Sequence, residues 1–157
     1  MIILKRTNSN DKDFLELTGL LDEDLRYIYG FNQDEFDQYN SIINVATVVI
    51  AYEKNTAVGC GCFKATEDDT IELKRMFVKA MYRGKGIGIA ILNELENWAF
   101  EIGYSSMVLE TGTLQPVAIQ LYIKQVYQIT PNYSPYIGND LSVCMKKKLQ
   151  KIYTEKH

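Results

Sequence analysis

The stretch YRGKGIGIA (82–90) sets Gly84, Gly86 and Gly88 at alternate positions, with Arg83 and Lys85 among them, between an apolar run and the start of a helical pattern. A glycine turn feeding a helix N-terminus is an anion site in outline, because unpaired backbone N–H groups and the positive end of the helix dipole converge there. Two phosphate signatures fail on spacing. The P-loop needs GxxxxGK[ST], but Lys85 precedes Gly86 and no Ser or Thr follows. The dinucleotide fingerprint GxGxxG fails because its last position is Ile89 counting from Gly84 and Ile91 counting from Gly86.

Working outward, IILKR (2–6) reads as a strand. Asn8, Ser9 and Asn10 offer caps for a helix on which Phe14, Leu17, Leu21, Leu25 and Ile28 recur, closed by Gly30. A second, acidic helical piece spans about Gln33 to Ile42, and VATVVIAYE (45–53) and TAVGCGCFKAT (56–66) read as strands joined by a turn at Lys54-Asn55. TIELKRMFVKA (70–80) is a third strand of this meander, and its alternation breaks at Arg75-Met76, where a bulge is expected. Ile87, Ile91, Leu95, Trp98 and Ile102 mark an amphipathic helix ended by Gly103. SSMVLET (105–111) is a strand, 115–125 a helix with Pro116 in its first turn, and VYQIT and LSVCMKKKL two last strands. The order β-α-α-β-β-β-α-β-α-β-β implies an α/β or α+β sheet with helices on both faces.

The pattern RxxGxG, Arg83 to Gly88, resembles the pyrophosphate-binding signature of the GNAT superfamily of N-acetyltransferases. ELKRMFVKAMYRGKGIGIAIL (72–92) is similar to that family's strand, turn and helix in unbroken register. QPVAIQLYIKQVY (115–127) is similar to its NxxAxxLYxxxGF segment, with Gln115 for Asn and Val126-Tyr127 for Gly-Phe. The resemblance implies one acyltransferase domain over 1–157, with a mixed, mostly antiparallel twisted sheet of about seven strands and about four helices. It also implies acetyl-coenzyme A as co-substrate, with the amides of Gly84, Lys85, Gly86, Ile87 and Gly88 on the pyrophosphate and Arg83 or Lys85 in reach of a nucleotide phosphate. The backbone of Met76, Phe77 and Val78, with Gln115, Ala118 and Tyr122, is implied to serve the pantetheine arm and thioester.

Composition bounds the alternatives. The chain has 157 residues, 46% of them hydrophobic, which suffices for a core without disulfide or metal. Its 17 basic and 20 acidic residues are dispersed, giving a net charge of −3 and no basic face for nucleic acid or an anionic membrane. The basic run Lys146-Lys147-Lys148 is expected to shield a sheet edge. Three cysteines and no signal-like or membrane-length apolar run point to the cytoplasm. Cys60 and Cys62 fall on one face of a strand as buried thiols. The lone His157 leaves no histidine-based triad or metal site, so no metal is expected.

Direct amide formation from a thioester needs a neutral amine, oxyanion stabilisation and a proton for the thiolate. Resemblance together with this chemistry makes Tyr122, at the position of the family's tyrosine, the expected general acid, with either Glu72 or Glu110 as the base acting through water. Aromatic residues Tyr27, Phe31, Tyr133 and Tyr136 are expected to rim the acceptor site for a small amine or peptide, in a monomer or homodimer. A covalent route through Cys144 lacks an activating histidine. A non-catalytic acyl-coenzyme A sensor or partner-binding domain is the alternative from another class.

Overall fold

The structure, a computed structural model, describes residues 1–30 and 43–150. Strand β1 (Ile2–Thr7) and helix α1 (Lys12–Tyr29) precede a meander of β2 (Val48–Glu53), β3 (Thr56–Ala65) and β4 (Thr70–Val78). A 3-10 turn (Ala80–Tyr82) and the glycine loop lead into α2 (Ile87–Glu101). Strand β5 (Ser106–Gly112), helix α3 (Pro116–Lys124), β6 (Gln128–Thr130) and β7 (Ser142–Lys148) follow. Of the four expected helices, three are described; the piece at 33–42 and Phe31 lie outside the described residues.

The seven strands form one sheet in the order β1-β2-β3-β4-β5-β7-β6, antiparallel throughout except for the β4–β5 pair. The β2–β3 turn places Lys54 and Asn55 at φ 48° and 68°, the left-handed pair that suits strand twist in a two-residue hairpin. Helix α1 covers one face with Phe14 and Leu17 against Val48, Ile50, Cys60, Cys62 and Phe77. On the other face Ile87, Ile91, Leu92 and Leu95 of α2 pack on Val49, Phe63, Ile71 and Leu109. Each fully buried side chain of this size contributes about 1.5–3 kcal/mol. The expected fold class is borne out, as are the buried thiols at Cys60 and Cys62.

Two local expectations are corrected. Asp11, rather than Asn8, Ser9 or Asn10, caps α1, its side chain accepting from the Asp13 N–H. Ser9 instead ties down the approach to β2, its hydroxyl accepting from the Val45 N–H at 2.9 Å. The run at 146–148 does not lie on the terminal strand: β7 sits between β5 and β6, β6 covers it as far as Lys146, and Lys147 turns inward to Glu96 Oε1 at 2.8 Å.

The break at Arg75-Met76 is a bulge. Cys60 faces Phe77 and Cys62 faces Lys74, so Arg75 and Met76 together stand opposite Gly61, and Arg75 adopts φ 62°. The extra residue reverses which face the strand presents. Ile71 and Leu73 point to the α2 side, whereas Phe77, of the same parity, points to α1. The Cys60 and Cys62 thiols back the bulge from β3, donating to the Arg75 and Lys74 carbonyls at 3.4 Å each.

Candidate active site

β4 and β5 lie side by side only from the Thr70–Ser106 pair to the Glu72–Val108 pair. Beyond that they diverge, and the gap opens the middle of the sheet from one face to the other. Tyr122 and Ala118 of α3 reach it from the α2 side. Glu72, Lys74 and Glu110 reach it from the other side, with Leu21, Leu25 and Tyr29 of α1 beside them, around a cleft of about 140 Å³. A larger cleft, of about 820 Å³, adjoins it and is lined by Lys64, Tyr133 and Lys146 among others. Glu72, Lys74, Arg75 and Tyr136 belong to the walls of both.

Past the end of β4, Gly84 and Gly86 take φ 78° and 82°, and Gly86 is the N-cap of α2 without a side-chain cap. Within the described residues no backbone carbonyl accepts from the N–H groups of Gly84, Lys85 or Gly86, and those of Ile87, Gly88 and Ile89 are first-turn donors without an intrahelical partner. Positive φ favours glycine at 84 and 86. Gly88 has no such need, since a Cβ there would meet Leu121 and Val78 at an ordinary 3.8 Å. Arg83 is held by the fold, its Nε donating to the Val78 carbonyl at 2.7 Å and its Nη2 to Asp24 of α1 at 3.1 Å. Lys85 lies over the Tyr82 ring at 5.6 Å.

Tyr122 is 6% exposed, and its hydroxyl has no hydrogen-bond partner among the described residues. Burial, then Glu110, raises its pKa, so the phenol keeps its proton. Its ring stands edge to face with Tyr127 at 5.8 Å. The Tyr127 hydroxyl donates to Glu96 Oε2 at 2.7 Å, and Glu96 also receives Lys147, so a buried ionic network sets the tilt of the Tyr122 ring. The following turn places Val126 at φ 72°.

The two carboxylates differ in surroundings. Glu110 accepts from the Ser142 hydroxyl at 2.8 Å, but burial dominates and raises its pKa. Glu72 accepts from the Tyr133 hydroxyl at 2.8 Å and lies 3.7 Å from Lys64 and 3.8 Å from Lys74. Gln115 donates from Nε2 to the Tyr29 hydroxyl at 3.2 Å, bridging α3 to α1 across the gap. A Cβ on Gly112 would collide with that same hydroxyl.

Met76 lines the smaller cleft, while Phe77 and Val78 are not among its walls and their side chains pack into the two cores. Tyr136 lines both clefts and Tyr133 the larger one. Tyr27 lines neither cleft: it is 91% exposed on the outer side of α1, because Leu21, Leu25 and Tyr29, spaced by four, take the inner stripe. Sequence reading passed over Ser142, Lys74 and Arg75. A signal existed for Lys74, which shares a strand face with Glu72 two residues away.

Among known proteins, the model of the acetyltransferase (GNAT) family matches residues 14–126. An IAA acetyltransferase from Azospirillum brasilense is 39% identical over 102 residues, 64% of this chain and 67% of that protein. A probable N-acetyltransferase 14 from Xenopus tropicalis is 32% identical over 112 residues, 71% of this chain and only 50% of that longer protein. The crystal structure of an acyl-CoA N-acyltransferase from Klebsiella pneumoniae superposes with a TM-score of 0.78 at 26% identity, over 96% of this chain and 99% of that one. A Thermoplasma acidophilum N-acetyltransferase in complex with coenzyme A has the same fold, with a TM-score of 0.71 at 18% identity, over 94% of this chain and 99% of that one.

Proposed function

The chain belongs to the GNAT family of acetyltransferases, and from that premise we propose that it moves an acetyl group from acetyl-coenzyme A directly to a primary amine of a small molecule or peptide. The carrying observation is that the β4–β5 gap brings a protonated phenol, a carboxylate of raised pKa and a bulged strand into one cleft. The glycine-loop amides would hold the pyrophosphate of acetyl-coenzyme A, and the backbone at the bulged end of β4 would serve its pantetheine arm.

In this reading Glu110 removes the ammonium proton of the acceptor through a water, because its raised pKa makes it the stronger base when ionised. Glu72, engaged by Tyr133 and two lysines, is an electrostatic element. The amine nitrogen attacks the thioester carbonyl, whose developing oxyanion is met by backbone N–H at the bulge. The C–S bond then breaks: the departing thiolate takes the Tyr122 proton, the nitrogen sheds its second proton as it becomes an amide and so restores the phenol through water, and Glu110 returns its proton to solvent. Burial raises the Cys144 pKa and no histidine lies near it in sequence, which supports direct transfer over an acyl-enzyme.

Thermal melting with acetyl-coenzyme A tests the first half, and stabilisation is the expected result. A panel of amines with a free-thiol readout tests the second. Tight cofactor binding with no turnover on any amine would sink the transfer reading in favour of an acyl-coenzyme A-binding module.

A further inference from the structure

The larger cleft is lined by four cations, Lys64, Lys74, Arg75 and Lys146, against Glu67 and Glu72, in a chain whose net charge is −3. Lys74 and Arg75 stand on the wall shared with the smaller cleft. Their donors are not filled by the described residues. Lys74 Nζ has three donors and gives one to the Tyr136 hydroxyl at 2.9 Å; Glu72 Oε2, 3.8 Å away, is beyond hydrogen-bond range. Lys64 Nζ stands equally apart, at 3.7 Å from Glu72 Oε1. Arg75 is in ionic contact with Asp22 at 2.7 Å, without hydrogen-bond alignment, and its Nη1 is buried with no partner among the described residues. Of these donors Arg75 Nη1 is buried and costs stability unfilled, while the remaining Lys74 and Lys64 donors line the cleft, where a carboxylate would fill them with charge-assisted bonds.

We propose that this wall is a carboxylate subsite, with Lys74 as its principal donor and Lys64 beside it, and that the acceptor is an amino acid or the C-terminal residue of a short peptide. The identity of the amine as acceptor rests on the transfer reading above; the carboxylate contact does not. An acceptor seated there directs its amine from the larger cleft into the smaller one, toward Glu110. Lys74 Nζ also lies 5.6 Å from the Tyr136 ring centroid, so that ring forms part of the subsite.

Calorimetric titration of the coenzyme A-saturated protein tests this, using N-acetylated glycine, alanine, phenylalanine and lysine, each against its C-terminal amide. At least one acid should bind tenfold or more tighter than its amide. Lys74→Met should remove that preference and Lys74→Arg should keep much of it. Equal binding of every acid and amide, or binding of neither, overturns the subsite on the unaltered protein whatever the variants do. Turnover of neutral amines with no acid preference would sink the subsite and leave acetyl transfer standing. Acid-selective binding without turnover would do the reverse.

Discussion

The Ser142 hydroxyl donates to Glu110 Oε2 at 2.8 Å, joining β7 to β5 at the mouth of the gap, and burial outweighs that bond to raise the Glu110 pKa. A base must be ionised, so kcat/KM should fall as pH is lowered through a midpoint above the ordinary glutamate value of 4.5. Glu110→Gln should lose that limb and at least tenfold in rate, whereas Glu72→Gln should keep the limb. The stability effect has the opposite sense. A group whose pKa is raised by folding contributes stability below its unfolded pKa and loses it as pH rises through the folded one. Glu110→Gln should therefore melt no lower than the parent at pH 7, and a lower melting temperature there would count against this account of the shift.

Tyr122→Phe removes a hydroxyl that has no protein partner among the described residues, so the ring packing on Tyr127 is retained. The melting temperature and the affinity for coenzyme A should change little. Loss of the general acid should lower kcat about 100-fold or more. Stopped-flow release of free thiol measures this step, and full activity in the variant would remove Tyr122 from the mechanism.

Among the loop glycines, substitution should separate conformation from space. Gly84 and Gly86 have positive φ but open surroundings, so Gly84→Ala and Gly86→Ala should each cost about 1–2 kcal/mol through left-handed backbone strain and weaken coenzyme A binding. Gly88→Ala lies inside α2 with room for a methyl. It should leave the free protein unchanged or stabilise it by up to about 1 kcal/mol. Urea unfolding of the three variants, with and without coenzyme A, reads both effects.

Val126, 70% exposed at φ 72°, is a β-branched residue in a region such residues rarely enter. Val126→Gly relieves about 1–2 kcal/mol of strain, offset in part by the greater chain entropy of glycine when unfolded. A net gain of about 0.5–1 kcal/mol is expected, measured as a rise in the urea midpoint at constant slope.

The element order, the hairpin at Lys54-Asn55, the bulge at Arg75-Met76 and the glycine turn were legible in the sequence because each follows from local periodicity or from φ preferences of single residues. The family likewise was legible, since two motifs held one register across 72–127. What local pattern could not decide was which surfaces meet. Lys146 to Lys148 looked like an edge, yet β6 pairs outside β7 and Glu96 draws Lys147 inward. Glu72 and Glu110 were indistinguishable until tertiary packing gave one Tyr133 and the other Ser142 as neighbour. Tyr27 and Tyr29, two residues apart, fell on opposite sides of α1. Backbone conformation is set over a few residues, but desolvation and charge pairing depend on distant segments, so the sequence determined the scaffold and the glycine turn while only the folded chain decided which charges and hydroxyls meet in the cleft.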